Sequence, residues 1–391
     1  MPESALTIDE ARLQLPSLQA GAYFNTGYCG PLPRSAADAM SSELELDLMR
    51  PRGRADASER ELELAYEAKA AFASMFDGVA GEDLVLTDST THGIGLFMSG
   101  LGLVEGDEIL TTDEEHIGLG AVMAAAAEGL RVTIKVAPFG DAAAIEGAVT
   151  DRTRAVVMSH LSYVSGKMSP RLDLPPAVPL LLDCAHTPGS VRFDPGESGV
   201  GAVAFPGQKW CLGPEGIGGL WVAPRWLEQI WPLGVSFRAM EQWHAPTDYE
   251  FRLGAARLDG GTLNKPVVAG LIESIRWLRE EIGRERVIEL TQSQADKARE
   301  ALGRVEGVEV LSPPGTPGGL TGFRLADLDS REAAVEAYEA EAARLWEGGV
   351  LLRQIENPPG LRASVAWFNT DEEIDLLVES VARGIEARRA G

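Results

Sequence analysis

Apolar runs, partly β-branched, recur at 83–86, 108–110, 131–137, 154–158, 179–182, 201–205 and 219–222. Runs that are apolar at successive positions predict strands buried on both faces of a sheet. Helical stretches such as 118–129 lie between several of them, which predicts crossover connections. The expected fold is therefore α/β, with a mostly parallel, doubly covered sheet and one ligand site at the carboxyl ends of its strands. From about residue 264 the pattern changes to amphipathic helices at 267–282 and 286–302, a short strand at 322–325 and a last helix at 371–388. Thr370 is the expected N-cap of that helix, and Asp371, Glu372 and Glu373 suit the positive end of its dipole. The change divides the chain into an expected large domain, 20–255, and a smaller α+β domain made of 1–19 and 256–391. The Pro- and Gly-rich stretch 312–319 reads as a surface loop, and 235–243 as a loop that shapes side-chain specificity.

Composition narrows the picture further. A chain of 391 residues exceeds a single core, so two domains are the natural expectation. A net charge of −24 opposes a nucleic-acid or anionic-membrane partner, since both are polyanions. No run reaches the eighteen or so apolar residues that a membrane span needs. Cys29, Cys184 and Cys211 are spaced for neither a disulfide framework nor a paired metal site. No metal is expected, and with no basic, then apolar leader at the N-terminus the expected location is the cytoplasm.

Four places carry candidate chemistry. Lys209 follows the run 201–205 and enters a glycine-dense turn. An amine held among apolar strands loses its proton more readily than a solvated one and becomes a nucleophile toward an aldehyde. Asp183 ends the run 179–182, with His186 three residues later; a carboxylate there can keep a pyridine nitrogen protonated, although an aspartate at a strand end is commonly only a turn residue. Thr90 and Thr91 precede apolar positions at helical spacing, so they fall at a helix start, where free N–H groups bind phosphate or a hydroxyl simply caps the helix. His116 follows the run 108–110 and offers a flat ring for stacking. His92, His116, His160 and His186 all fall at or just after predicted strand ends, which predicts a shared site.

Seven segments occur in the order found in one family: Tyr23 to Pro33, Ser89-Thr90-Thr91, Glu115-His116, His160 to Gly166, Asp183 to His186, Gln208-Lys209-Trp210, and Leu361 to Ser364 with Phe368 to Asp375. On these residues the chain resembles the class V aminotransferases, which include cysteine desulfurases, cystine and cysteine C–S lyases, kynureninase and the isopenicillin N epimerase group. The resemblance implies a fold type I enzyme with pyridoxal 5'-phosphate (PLP) held by Lys209 as a Schiff base. It further implies Asp183 at the pyridine nitrogen, His116 stacked on the ring, Thr90 and Thr91 on the phosphate, and His186 and Tyr163 near the phenolic oxygen. Gln208 is expected beside the cofactor, Arg362 on the substrate α-carboxylate, and Asn25 and Tyr28 beside the substrate. Thr262 would reach the phosphate of a neighbouring subunit, so a homodimer with shared sites is expected. Pro206 departs from the Ser or Thr of many members, Tyr163 from the Asn of desulfurases, and Trp367 from the His of some relatives. No cysteine follows Cys211, which disfavours persulfide-forming desulfuration. The expected reaction is transamination or β-elimination of a small amino acid, ahead of epimerisation. The rivals are a nucleotide-binding α/β protein, opposed by the lack of a GxGxxG after the first strand, and a non-catalytic binder on the same fold.

Overall fold

Seven strands build the central sheet: β1 (Leu84–Thr87), β2 (Glu108–Thr112), β3 (Thr133–Ala137), β4 (Thr153–Ser159), β5 (Leu180–Asp183), β6 (Ala202–Pro206) and β7 (Gly218–Val222). Their order across the sheet is β1-β7-β6-β5-β4-β2-β3; β7 is antiparallel to both neighbours and every other pair is parallel. This is the expected mostly parallel α/β sheet, in a computed structural model that describes residues 6–54, 56–328 and 331–390. Six of the seven strands bury all or nearly all of their side chains, which is why they read as continuous apolar runs. β3 is the correction. It starts at Thr133, lies at the sheet edge and leaves most of its side chains partly or fully exposed. Lys135 on that edge pairs with Glu108 at 3.1 Å, a charge of the kind that keeps an open edge from pairing with another chain. Arg131, which the sequence assigned to the strand, instead ends the preceding helix with φ 58°.

The chain leaves β2 outward to the edge strand β3 and then returns to β4 on the other side of β2. Strand order therefore reverses between β2 and β4, and a crevice opens beyond their carboxyl ends, the usual ligand position in such sheets. Helices α4 (Thr90–Gly100) and α5 (Ile117–Leu130) begin at that end. Beneath them the core is closed by aromatic packing, with the Phe205 ring 5.1 Å from Phe72 and 4.8 Å from Phe76.

The C-terminal part forms a four-stranded antiparallel sheet ordered β10 (Val308–Val310), β11 (Leu320–Leu325), β13 (Pro359–Ser364), β12 (Arg353–Glu356). Its core gathers Phe323, Leu361 and Leu377. The expected helices appear as Lys265–Trp277, continued by a π-helical turn Leu278–Ile282, as Arg284–Gly303 and as Asp371–Ala390. Thr370 caps the last of them: its hydroxyl accepts the Glu373 N–H at 3.3 Å while Glu373 accepts the Thr370 N–H at 3.2 Å. The N-terminal helix α1 (Ile8–Leu13) and the turn after it dock through Ala11 and Leu15 against Trp210, Trp277, Trp367 and Phe368, and Arg12 pairs with Glu373 at 2.6 Å. The stretch 235–243, expected as a loop, leads into a hairpin of β8 (Met240–Ala245) and β9 (Asp248–Phe251). Most of its side chains are exposed, so no buried face marks it in the sequence. Helices α2 (Arg34–Met49) and α3 (Ala57–Ala73), and the later helix Arg331–Glu347, were not anticipated from the pattern. Among the described residues no helix is long and apolar enough to cross a membrane.

Candidate active site

A cavity of about 300 Å³ occupies the crevice at the strand ends. Its polar lining includes Tyr28, Thr90, Thr91, His116, Tyr163, Asp183, Gln208, Lys209 and Arg362, so nine residues singled out in the sequence converge on one space. Three others do not line it. Asn25 is held beneath it in a bridge with Ser364. His186 is buried, where its Nδ1 accepts the Trp210 indole N–H at 3.2 Å. Thr262 lines a separate cavity together with Gly260, Gly261 and His92. The expected cluster of four histidines is also corrected, because only His116 reaches the cavity. His160 lies away from it, with Nδ1 2.8 Å from Thr187 Oγ1 and its ring on Phe193 at 4.1 Å.

Local folding explains each placement. Asp183 is the last residue of β5; its Oδ1 accepts the Ala185 N–H at 2.8 Å, and burial, opposed by the attraction of Lys209, pushes its carboxyl up. Lys209 stands in the turn after β6, which is kept tight by bonds from Gly207 to Ile217 (2.8 Å) and from Gly213 to Gly207 (2.9 Å). Leu212, three residues on, has a left-handed φ of 53°, a conformation costly for a branched side chain and found where surrounding structure enforces it. The N-terminal motif is pinned here, as Gly30 donates its N–H to the Gln208 carbonyl at 2.7 Å. Burial, with Arg362 and Arg353 adding repulsion against the attraction of Asp183, lowers the Lys209 amine to about 8. It is thus far closer to a neutral nucleophile than a solvated lysine.

Thr90 and Thr91 open α4, and Ser89 caps it by accepting the His92 N–H at 3.1 Å. His116 is itself the N-cap of α5, with Nδ1 accepting the Gly118 N–H at 3.0 Å, which leaves Nε2 to carry the ring proton. Burial first, then Lys209, Arg362 and Arg353, lowers His116 to about 4 and keeps it neutral. Tyr163 stands edge-on to it at 5.4 Å. Arg362, from β13, is buried and donates to the Tyr163 carbonyl at 3.2 Å, while its Nε has no partner. Gly27 makes room for it: a Cβ there would stand 3.3 Å from Arg362 Nη2 and 2.5 Å from Ser364 Oγ.

The sequence reading missed Arg353 and Glu356, which line the same cavity from β12. Arg353 lies opposite Arg362 in the β12–β13 register, and its guanidinium sits 4.6 Å from the centre of the Tyr28 ring. Among the described residues neither arginine has an ion-pair partner. A four-residue strand with charges at both ends gives no periodic signal; only its approach to the Arg362 strand could have pointed to it.

Comparison with known proteins settles the family. Residues 25–377 match the model of the family described as aminotransferase class-V. The chain belongs to that family. It is 25% identical to a probable cysteine desulfurase of Methanothermobacter thermautotrophicus, covering 95% of this chain and 97% of that protein. It is 29% identical to an isopenicillin N epimerase of Streptomyces clavuligerus, over 91% and 93% of the two chains. Among solved structures it is similar to a cystine C–S lyase in complex with its reaction product cysteine persulfide (TM-score 0.84, 27% identity, 94% and 99% coverage). A variant of that lyase with glycine covalently linked to its PLP cofactor gives a TM-score of 0.86 at 27% identity, over 95% and 98%. The class-V family is PLP-dependent and these relatives are enzymes, so the nucleotide-binding rival is set aside.

The residues present fit PLP. The cavity holds a buried amine, a buried carboxylate with one oxygen still open to a donor, a helix N-terminus lined by two threonines and a buried Gln208 Oε1 without a partner. An aldehyde, a pyridine nitrogen and a phosphate are the groups such a set accepts.

His160 supplies a stability prediction independent of the cofactor. Burial lowers it to about 4 against 6.5 in the open chain. Protonation then favours the unfolded chain, so the full contribution is present above pH 6.5 and is lost as pH falls toward 4. At pH 5 the loss is about 2 kcal/mol. Urea unfolding of wild type and His160→Asn at pH 7 and 5 should show a smaller acid loss in the variant; equal losses would contradict the reading.

Proposed function

We propose that this chain is a β-eliminating C–S lyase acting on an amino acid with sulfur at its β-carbon and a second carboxylate at its far end, as in cystine. The observation that carries the reading is the second guanidinium: Arg353 shares the cavity with Arg362, and among the described residues neither forms an ion pair with a protein carboxylate. Two arginines at one mouth suit a substrate with two carboxylates. The similarity to a cystine C–S lyase supports the same substrate class.

The residues divide the work as follows. Arg362 grips the α-carboxylate and fixes the α-carbon near Lys209. Thr90 and Thr91 hold the phosphate at the start of α4, His116 covers the ring, and Asp183 keeps a proton on the pyridine nitrogen. Bound there, PLP supplies an electron-withdrawing ring conjugated to the α-carbon. Lys209 takes the α-proton, and the β-carbon to sulfur bond breaks with its electron pair leaving on sulfur, as a persulfide when the substrate is a disulfide. Ile117, Tyr163 and Ile355 add apolar and aromatic surface to the same cavity. Hydrolysis of the remaining fragment gives pyruvate and ammonia.

The cysteine inventory supports elimination over transfer of sulfur to the protein. Cys184 and Cys211 are buried, and Cys29, whose thiol burial pushes up to about 11, does not line the cavity. Epimerisation is the second reading, favoured by the 29% identity to an isopenicillin N epimerase. Lys209 is the only amine lining the cavity among the described residues, and burial with the nearby cations lowers the proton affinity of His116, which makes that ring a weak second base. We further propose a cytoplasmic homodimer. Exposed Leu48, Met49, Phe237 and Leu253 supply apolar surface, and Thr262 stands apart from this chain's own cavity.

Arg353→Ala is the test of substrate class. It should raise KM for cystine about tenfold, worth roughly 1.4 kcal/mol, and leave KM for cysteine nearly unchanged. Equal effects on the two substrates, or no pyruvate from cystine in wild type, would sink the assignment.

A further inference from the structure

The segment Asp113-Glu114-Glu115-His116 links β2 to α5, and only its histidine lines the cavity. β2 pairs with β4 as far as Leu110 opposite Val156, and beyond that point the two strands part. Ser159, the last residue of β4, would leave its N–H without a strand partner on that side. Glu115 fills the gap with its side chain. Its Oε2 accepts the Ser159 N–H at 2.9 Å and the Ser159 hydroxyl at 2.7 Å, and its Oε1 accepts the hydroxyl of Thr112 at the end of β2. Three donors converge on one group, and only a carboxylate is an acceptor at every position; an amide would turn N–H groups toward donors.

This bridge sits directly behind the chemistry. Ser159 stands opposite Asp183 in the β4–β5 register, and the next residue, His160, donates its N–H to the Asp183 carbonyl at 2.9 Å. Glu115 is therefore tied through Ser159 to the strand end that carries Asp183, and by one peptide bond to His116. No cation pairs with it among the described residues. The titratable groups that act on it or are acted on by it are Asp183 from β5 and Tyr163 from the loop after β4. Burial, opposed by the bonds from Thr112 and Ser159, pushes it up to about 7, so the buried carboxylate is kept at some cost.

We propose that Glu115 is a positioning residue: by joining the diverging ends of β2 and β4 it sets Asp183 and His116 against each other. The proposal rests on the reading of the cavity as a PLP seat. It is tested by loading wild type, Glu115→Gln and Ser159→Ala with PLP, then measuring affinity, visible circular dichroism per bound PLP, and thermal melting. For Glu115→Gln, PLP Kd should rise about fivefold or more, and the visible dichroism per bound PLP should fall by about half while far-UV dichroism is kept. Ser159→Ala, which keeps the backbone bond, should move both in the same direction by less. A Glu115→Gln protein that melts lower yet binds PLP with unchanged affinity and dichroism overturns the proposal. If Glu115→Gln does not fold, unchanged values in Ser159→Ala overturn it. A wild-type chain that takes up no PLP overturns the reading of the cavity, and this proposal with it.

Discussion

Lys209→Ala should lose covalent retention of PLP and lower kcat/KM by a factor on the order of 10³ or more, because one side chain serves as both the attachment point and the base for the α-proton. General-base removal alone costs roughly 10²–10⁴ in rate. The loss should be confined to chemistry. Asp183, Gln208 and the α4 N-terminus line the cavity independently of the lysine side chain, so the variant should still take up PLP, now released on dialysis. Turnover at wild-type rate in the variant would remove Lys209 from the mechanism. The environment supports the assignment: the amine is lowered to about 8 by burial against the pull of a carboxylate that burial itself raises. The two groups share a site that is dry enough to matter.

Arg362→Ala has the second largest expected effect. The guanidinium is buried, donates to the Tyr163 carbonyl and leaves Nε unpartnered, and burial with Arg353 nearby lowers it to about 10. Burying a cation without an anion is costly, so an incoming carboxylate relieves that cost when it binds. Losing a charge-assisted pair of this kind costs about 3 kcal/mol, roughly a hundredfold in kcat/KM, expressed mainly in KM. PLP content should stay near wild type. Equal losses of PLP and of substrate affinity would make Arg362 a structural residue instead.

The strand ends were legible in the sequence for a physical reason. β5 and β6 are buried on both faces, so each reads as a near-continuous apolar run, and a charged residue at or just past the end stands out, as Asp183 and Lys209 do. Thr90 and Thr91 were legible because a helix start has its own signature. The histidines show the limit of that logic. Being near a strand end does not say which face a side chain takes, since neighbours along a strand point to opposite sides. His160 therefore went to Thr187 and Phe193, while Tyr163 three residues later reached the cavity. Arg353 was illegible because its strand is four residues long and joins the site only through pairing with β13, a contact between residues nine apart whose hairpin gives no periodic mark. Glu115 was seen only as the neighbour of His116; the gap it fills exists only once β2 and β4 have been placed side by side.

The central claim, that Lys209 holds PLP in the cavity at the β2–β4 switch point, is tested most directly by borohydride reduction of the PLP-loaded protein followed by peptide mapping. The account predicts a yellow protein that bleaches on reduction and carries one pyridoxyl group per chain on Lys209. A chain that stays colourless with added PLP, or a pyridoxyl group mapped to any other lysine, would contradict it.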